Sequence, residues 1–261
     1  MSLELILSED DYGFFKRSIS LLEERVITNF PDIYTNPAIL SAIRNVPRHL
    51  FVNEGYKFLA YTDNALPTCG ELTTSAPSVI ARMIFHSGVS KGDRLLEVGT
   101  GTGYEAAVLA EMGVKVSTIE IDRSAAEAAN RVLVQLGYKV DKRSIRARSG
   151  NESMKRYLAI RKSFPQRGQI ELFWGNGQDG LAEKSPFNGI IVAASIPHLK
   201  HVVHLSAQLS AAGGRMVVPV GDRHEQTLQI IERKRNRVFI HTLEGISFNF
   251  LRMVVGQKGS R

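Results

Sequence analysis

The apolar run Leu95-Leu96-Glu97-Val98 leads straight into three alternating glycines, Gly99-Thr100-Gly101-Thr102-Gly103, and then into Tyr104 and an Ala-rich stretch. A second apolar run, Lys115-Val116-Ser117-Thr118-Ile119, closes on Glu120. This is how a buried strand, a tight turn and a helix N-terminus read when they hold a nucleotide-like ligand, with an acid at the next strand end. Glycines let the backbone approach such a ligand and take φ values closed to other residues. A carboxylate at Glu120 can accept hydrogen bonds from both hydroxyls of a ribose.

The spacing narrows the ligand. A dinucleotide fingerprint needs G-x-G-x-x-G, and the position of its last glycine is Tyr104 here. The E-x-G-x-G-x-G of Glu97 to Gly103 is instead similar to the motif of S-adenosylmethionine-dependent methyltransferases, whose ligand has no pyrophosphate. The residues expected to line a methyl-donor site are Glu97, Gly99, Thr100, Gly101, Gly103, Glu120 and Ile121, joined by Gly175, Asn176 and Gly177 on the adenine side.

Around this motif strands and helices alternate. Strands are expected at 94–98, 115–120, 170–174, 189–194 and 215–219, and helices at 103–112, 123–136 and 198–211. Residues 227–232 and 238–248 read as an antiparallel hairpin about a basic turn. Apolar positions at helical spacing mark 9–30 and 36–45, and a further helix runs from Pro77 to His86. The expected fold is therefore α/β: a doubly wound, mostly parallel, seven-stranded Rossmann-like sheet with an antiparallel C-terminal hairpin and an N-terminal helical cap. One domain, 1–261, is expected, with cap and substrate-side loop in 1–78 and the donor-binding core in 79–261.

The net charge of +7 is concentrated. Residues 139–168 hold ten Lys/Arg against Asp141 and Glu152, a segment of +8 that leaves the remainder near neutral. Its middle, Glu152 to Lys162, reads as a helix between loops. The segment is either a solvated insertion or a surface for an acidic partner. Nucleic acid is the weaker partner, because only Tyr157 and Phe164 offer stacking. No apolar run approaches the ~20 residues that span a bilayer, and an acidic start with Glu4, Glu9 and Asp10 is unlike a signal peptide. Cys69 is the single cysteine, so an internal disulfide is excluded and a cytoplasmic setting is the expectation.

Further strings extend the resemblance. Val46-Pro47-Arg48-His49-Leu50-Phe51-Val52, Tyr61-Thr62-Asp63-Asn64-Ala65-Leu66-Pro67 and Leu72-Thr73-Thr74-Ser75-Ala76-Pro77 precede the glycine motif. Pro186 to Ala194 and Gly213 to Gly221 follow it in order. Together they resemble the protein-L-isoaspartate O-methyltransferase family over about residues 43–138 and 170–250. The resemblance implies transfer of a methyl group from S-adenosyl-L-methionine to the carboxylate of an isoaspartyl residue in a protein or peptide. In that family the ester then collapses to a succinimide, a repair step. It also implies that Ser75 and Thr73 supply the catalytic hydroxyls, with Thr74, Leu66 and Pro67 on the substrate side. Read from the residues alone, Ser75 is rather a cap for the helix starting near Pro77.

Departures from the family pattern fall at Cys69-Gly70-Glu71-Leu72, at Asn176 where an acid is usual, at Asn188-Gly189, at Phe248-Asn249-Phe250-Leu251, and in the basic insertion. Glu71 beside the hydroxyls would repel a carboxylate substrate if it faced them. Two rivals stay open: a divergent relative methylating another peptide carboxylate, and a donor- or nucleic-acid-binding module without activity. His198, His201 and His204 have no carboxylate or cysteine completing a ligand set, so no metal is expected. A carboxylate nucleophile is ionised at neutral pH, so the chemistry asks for alignment and not for a general base.

Overall fold

A computed structural model of the chain describes residues 9–68, 73–146, 153–161, 169–222 and 225–243, with 11–12, 138–146 and 153–161 taken by backbone alone. Cys69, Gly70, Glu71, Leu72 and the string Phe248 to Leu251 lie outside the described residues.

The N-terminal part gives helices α1 (Glu9–Asn29) and α2 (Pro37–Asn45), joined by a 3-10 turn at Pro31–Thr35. Proline at the first position of α2 suits a helix start, where its missing N–H has no partner to lose. Further 3-10 turns at Arg48–Phe51 and Glu54–Leu59 lead to a short ladder of β1 (Leu66–Pro67) and β2 (Thr73–Thr74). Leu66 faces Thr74 and Pro67 faces Thr73 across it.

The alternating part follows: α3 (Pro77–Ser87), β3 (Arg94–Val98), α4 (Tyr104–Glu111), β4 (Lys115–Glu120) and α5 (Arg123–Gln135). Next come β5 (Tyr138–Arg146), β6 (Ser153–Arg161), β7 (Ile170–Trp174), β8 (Gly189–Val192), β9 (Ala212–Gly221), β10 (Gln226–Lys234) and β11 (Arg237–Leu243). The main sheet runs β11-β10-β9-β8-β3-β4-β7-β6-β5. Its five central strands, β9 to β7, are parallel, and β10 and β11 add antiparallel to one edge.

Parallel strands buried on both faces read as unbroken apolar runs, because neither face meets water. Leu95 and Leu96 show this, belonging to opposite core clusters at full burial. One cluster collects α1 to α5, including Leu22, Ile43, Ile84, Leu109 and Leu133. The other is covered by the segment 181–209 through Leu181, Phe187, Val202 and Leu205. The chain leaves β3 for β4 on one side and returns to β8 on the other, so the switch point lies at the carboxyl end of β3.

Three expectations are corrected. The seven expected strands stand consecutively from β11 to β7, and among the described residues the sheet carries two more, β6 and β5, beyond β7. The two extra strands come from the basic insertion, whose middle is the strand β6 and not a helix. Pairing with the open edge of β7 overrides local helix propensity here, since it satisfies a row of main-chain groups on both strands. The expected helix 198–211 is replaced by 3-10 turns at Leu199–His201 and Val203–Gln208. Buried Val202 and Leu205 lie three apart, the 3-10 period. The Gln208 side chain also leaves its own segment, accepting from the Leu181 N–H at 2.9 Å and donating to the Asp179 carbonyl at 2.7 Å. Of the expected strand 238–248, residues after Leu243 lie outside the described residues.

Candidate active site

The glycine turn sits at the switch point. Gly99, Gly101 and Gly103 all take positive φ, at 100°, 52° and 86°. Main-chain bonds from Gly99 and Thr100 to the Ile119 carbonyl, at 2.8 and 3.2 Å, lash the turn to β4. A Cβ on Gly101 would meet nothing within 4 Å, so the main chain there faces open space. Glu120 is 5% exposed. Its Oε2 accepts from the Gly101 N–H at 2.8 Å and its Oε1 from the Asp122 N–H at 3.0 Å. A carboxylate has about four acceptor sites, so both oxygens keep capacity for ligand hydroxyls. Burial raises the Glu120 pKa, opposed by these main-chain donors.

Glu97 lies beneath the turn with no exposed surface. Its Oε2 accepts from the Thr118 hydroxyl at 2.5 Å, and Thr118 is in turn 2.6 Å from the Thr100 hydroxyl. Its Oε1 is buried without a hydrogen-bond partner, as is Oε1 of Glu105 on the first turn of α4. Burial pushes the Glu97 carboxyl well above its usual range, helped by the neighbouring Glu105 and opposed by Thr118. Burial alone carries Glu105 up to about 8. At about 8, Glu105 is mostly protonated at neutral pH, where it can donate a hydrogen bond, and Glu97 is shifted in the same direction.

At the end of β7, Trp174 lies in register with Glu120, and its indole N–H reaches the Ile121 carbonyl at 3.2 Å. Ile121 is 43% exposed, an apolar side chain left open beside the acid. The Gly175 N–H donates to the Glu120 carbonyl at 2.8 Å. The Asn176 oxygen caps the turn Gly177–Asp179 by accepting from the Gln178 N–H at 3.0 Å, which leaves one lone pair for a ligand. A Cβ on Gly177 would lie 2.7 Å from Val98 Cγ1, so only glycine fits against the end of β3.

The segment 73–75, expected to face the substrate, is held from two directions. Thr74 is buried and pairs with Leu66; Thr73 pairs with Pro67, which is exposed; and Ser75 is half-buried. The alternative role of Ser75 as a helix cap is not the one seen. The N-cap of α3 is Ala76, and Asp63 instead receives the Ser78 N–H on Oδ1 at 2.8 Å. From the other side, the fully buried Arg48 donates to the Ser75 carbonyl at 3.1 Å. The same guanidinium lies 5.6 Å from the ring centroid of Tyr104, the first residue after the glycine turn. Ser75 and the glycine turn thus meet on one side chain.

Sequence reasoning missed Asp63, Arg48, Thr118 and Glu105. Arg48 and Asp63 belong to the quoted strings but carry no local signature of these contacts; Thr118 and Glu105 stand inside a buried strand and an Ala-rich helix turn, where a polar residue is itself a signal. The histidines are no cluster: His198 and His201 stack at 6.1 Å, and His204 Nε2 is 2.9 Å from the Gln178 carbonyl. Among the described residues no three metal-ligating side chains are grouped. Nor, among them, is any helix long and apolar enough to cross a membrane.

The sequence model of the family Protein-L-isoaspartate(D-aspartate) O-methyltransferase matches residues 23–254. A protein-L-isoaspartate O-methyltransferase of Methanospirillum hungatei is 34% identical over 82% of this chain and 84% of its own length. One of Gloeobacter violaceus is 38% identical over 75% of this chain and 80% of its own. Among solved structures, one titled protein-L-isoaspartate O-methyltransferase has a TM-score of 0.65 at 23% identity, covering 90% of this chain and 67% of that one. A Plasmodium falciparum structure titled as a putative protein of that name, in complex with S-adenosyl-L-homocysteine, has a TM-score of 0.61 at 19% identity, covering 90% and 97%. At those identities the structural likeness speaks to the fold.

Proposed function

The chain belongs to the protein-L-isoaspartate(D-aspartate) O-methyltransferase family, and on that premise we propose that it methylates the free carboxylate of L-isoaspartyl residues in proteins and peptides, using S-adenosyl-L-methionine, as a repair enzyme. The observation that carries this reading is the family match across both the donor turn and the substrate-side segment.

The residues present fit the donor. Glu120 keeps acceptor capacity beside the open Gly101 main chain, Ile121 offers an apolar face, and Glu97 has a buried oxygen with no partner. When bound, the donor supplies an electrophilic methyl on a sulfonium. The chain supplies position. Glu120 and the turn Gly99 to Gly103 hold the donor's sugar and amino-acid tail, and Asn176 and Gly177 border its base. A substrate carboxylate is already ionised at neutral pH, with a usual pKa near 4, so no residue need remove a proton. Hydroxyls of Ser75 and Thr73 orient that carboxylate by donating to it, without the tight pairing of a cation that would blunt its nucleophilicity. Alignment of this kind lowers a barrier by up to about 7–11 kcal/mol. Incubation with labelled donor and matched isoaspartyl and aspartyl peptides is the test; equal labelling of the two, or none, rejects the reading.

The protein substrate is further proposed to be acidic around its damaged residue, met by the basic segment 139–168. The strand register supports this. Lys155 pairs with Trp174, and Arg156 with both Phe173 and Arg143, at the sheet end where Glu120 pairs with Trp174. Arg143 stands opposite Arg156 in the ladder, so the register brings two basic positions together near that end of the sheet, where an anionic partner would meet both. A cytoplasmic setting completes the proposal, consistent with one cysteine in the whole chain.

A further inference from the structure

Arg48 is among the largest fully buried side chains of the described residues, and the only charged one in that group. A buried guanidinium ordinarily sits against a carboxylate, since the cost of removing it from water is several kcal/mol or more. Among the described residues no carboxylate is in hydrogen-bond contact with Arg48. Its Nη1 donates to the carbonyls of Ala60 at 2.7 Å and Thr62 at 3.3 Å, and its Nη2 to those of Asn64 at 2.9 Å and Ser75 at 3.1 Å. Its Nε is buried with no hydrogen-bond partner. Four carbonyl dipoles from the loop 60–64 and the segment 73–75 thus converge on one planar fork. That fork also rests near the ring of Tyr104, which is 1% exposed and packs edge-on against Phe51 at 5.5 Å.

The loop 60–64 has its own link to the same region. Asp63 accepts from the Ser78 N–H and from the Asn29 side chain, tying the loop to the start of α3 and the end of α1. The ladder β1–β2 pairs Thr73 and Thr74 over just two residues. Without Arg48, the Ser75 carbonyl would lose the guanidinium that donates to it and, with it, the link to Tyr104.

We propose that Arg48 is a positioning residue for the methyl transfer: its fork sets the Ser75 segment against the loop 60–64 and against the first residue of α4, fixing the distance between the substrate-side hydroxyls and the donor turn. The proposal rests on the function proposed above. It predicts that loss of the fork disorders the hydroxyl-bearing segment while the donor turn, built from β3, β4 and Glu120, keeps its structure. Lysine at this position retains the charge but offers a single ammonium, unable to serve four carbonyls in one plane.

The test is Arg48→Lys in the full chain, measured three ways beside the unaltered protein. Calorimetric affinity for S-adenosyl-L-homocysteine should stay within about twofold. The kcat/KM for an isoaspartyl peptide should fall by about 10- to 100-fold. Amide hydrogen exchange should quicken in 61–65 and 73–76 and stay unchanged in 95–98 and 116–120. Turnover and exchange like those of the unaltered protein overturn the proposal. So does loss of donor binding together with protection across the sheet, or failure to fold, because either assigns Arg48 to the core and not to positioning. If the unaltered protein itself ignores isoaspartyl peptides, the functional reading fails, and exchange with donor affinity still decides the role of Arg48.

Discussion

The Gly101 amide donates to Oε2 of Glu120 at 2.8 Å, so the middle glycine of the turn is pinned by the acid expected to hold the donor's sugar. The second oxygen of Glu120 anchors the Asp122 N–H, where α5 begins. One carboxylate therefore shapes the turn and presents acceptors to the ligand. Glu120→Ala should weaken S-adenosyl-L-homocysteine binding by about 10- to 100-fold, the net loss of one charge-assisted hydrogen bond at roughly 1.5–3 kcal/mol. Glu120→Gln should fall between, since its amide keeps one oxygen acceptor. Calorimetric titration decides, and an unaltered Kd in the alanine variant counts against the site.

Gly101 and Gly177 should fail in different ways. A methyl at Gly101 meets no protein atom within 4 Å but points from a main chain at φ 52° into the cleft. Gly101→Ala should cost about 1–2 kcal/mol of stability through its left-handed backbone and hinder the donor's tail directly. At Gly177 the methyl would collide with Val98 at 2.7 Å, so Gly177→Ala should lose about 1–3 kcal/mol by overpacking. Urea midpoints with donor titrations separate the two: the ratio of lost affinity to lost stability should be greater at Gly101.

The central sheet was legible because each parallel strand is a short apolar run between turn residues, and the glycine turn with Glu120 carries chemistry in its spacing. What escaped reading is long-range. The hairpin of β5 and β6 exists by pairing with β7, a partner outside its own sequence. Val202 and Leu205 fit helical spacing and 3-10 spacing alike, and only the packing of 181–209 on the sheet separates them. Arg48 meets main-chain carbonyls, and any residue type supplies those. Asp63 caps a helix 15 positions away, whereas capping patterns are read from adjacent residues. The polar Thr118 and Glu105 in apolar surroundings were visible as anomalies, but their partners were not.

Arg143 and Arg156 carry the docking proposal. If acidic peptides are met by the hairpin, their KM should rise with salt, because exposed charge pairs are screened beyond a Debye length of about 8 Å at physiological ionic strength. An isoaspartyl peptide flanked by Asp and Glu and a neutral one should then differ. Replacing both arginines by glutamine should raise KM for the acidic peptide several-fold, remove most of its salt dependence, and leave the neutral peptide and donor affinity unchanged. Equal effects on the two peptides would remove the acidic partner from this surface.

Glu105 makes the pH dependence of stability a test of the buried carboxyls. Burial lifts its pKa from the usual 4.5 to about 8, so between those values the folded protein holds a proton that the unfolded chain has released. Stability must therefore fall as pH rises through that window, by up to about 1.4 kcal/mol per pH unit for this group. Below the window both states are protonated and the group contributes nothing; above it the loss is complete. Glu97 is shifted in the same direction, first by burial and then by Glu105 itself. Glu105→Gln removes the first contribution and relieves part of the second. Its urea midpoint should be close to that of the unaltered protein near pH 5 and exceed it by a growing margin toward pH 8. A margin that stays constant or shrinks would mean that Glu105 is charged in the folded protein, held by a partner that offsets its burial.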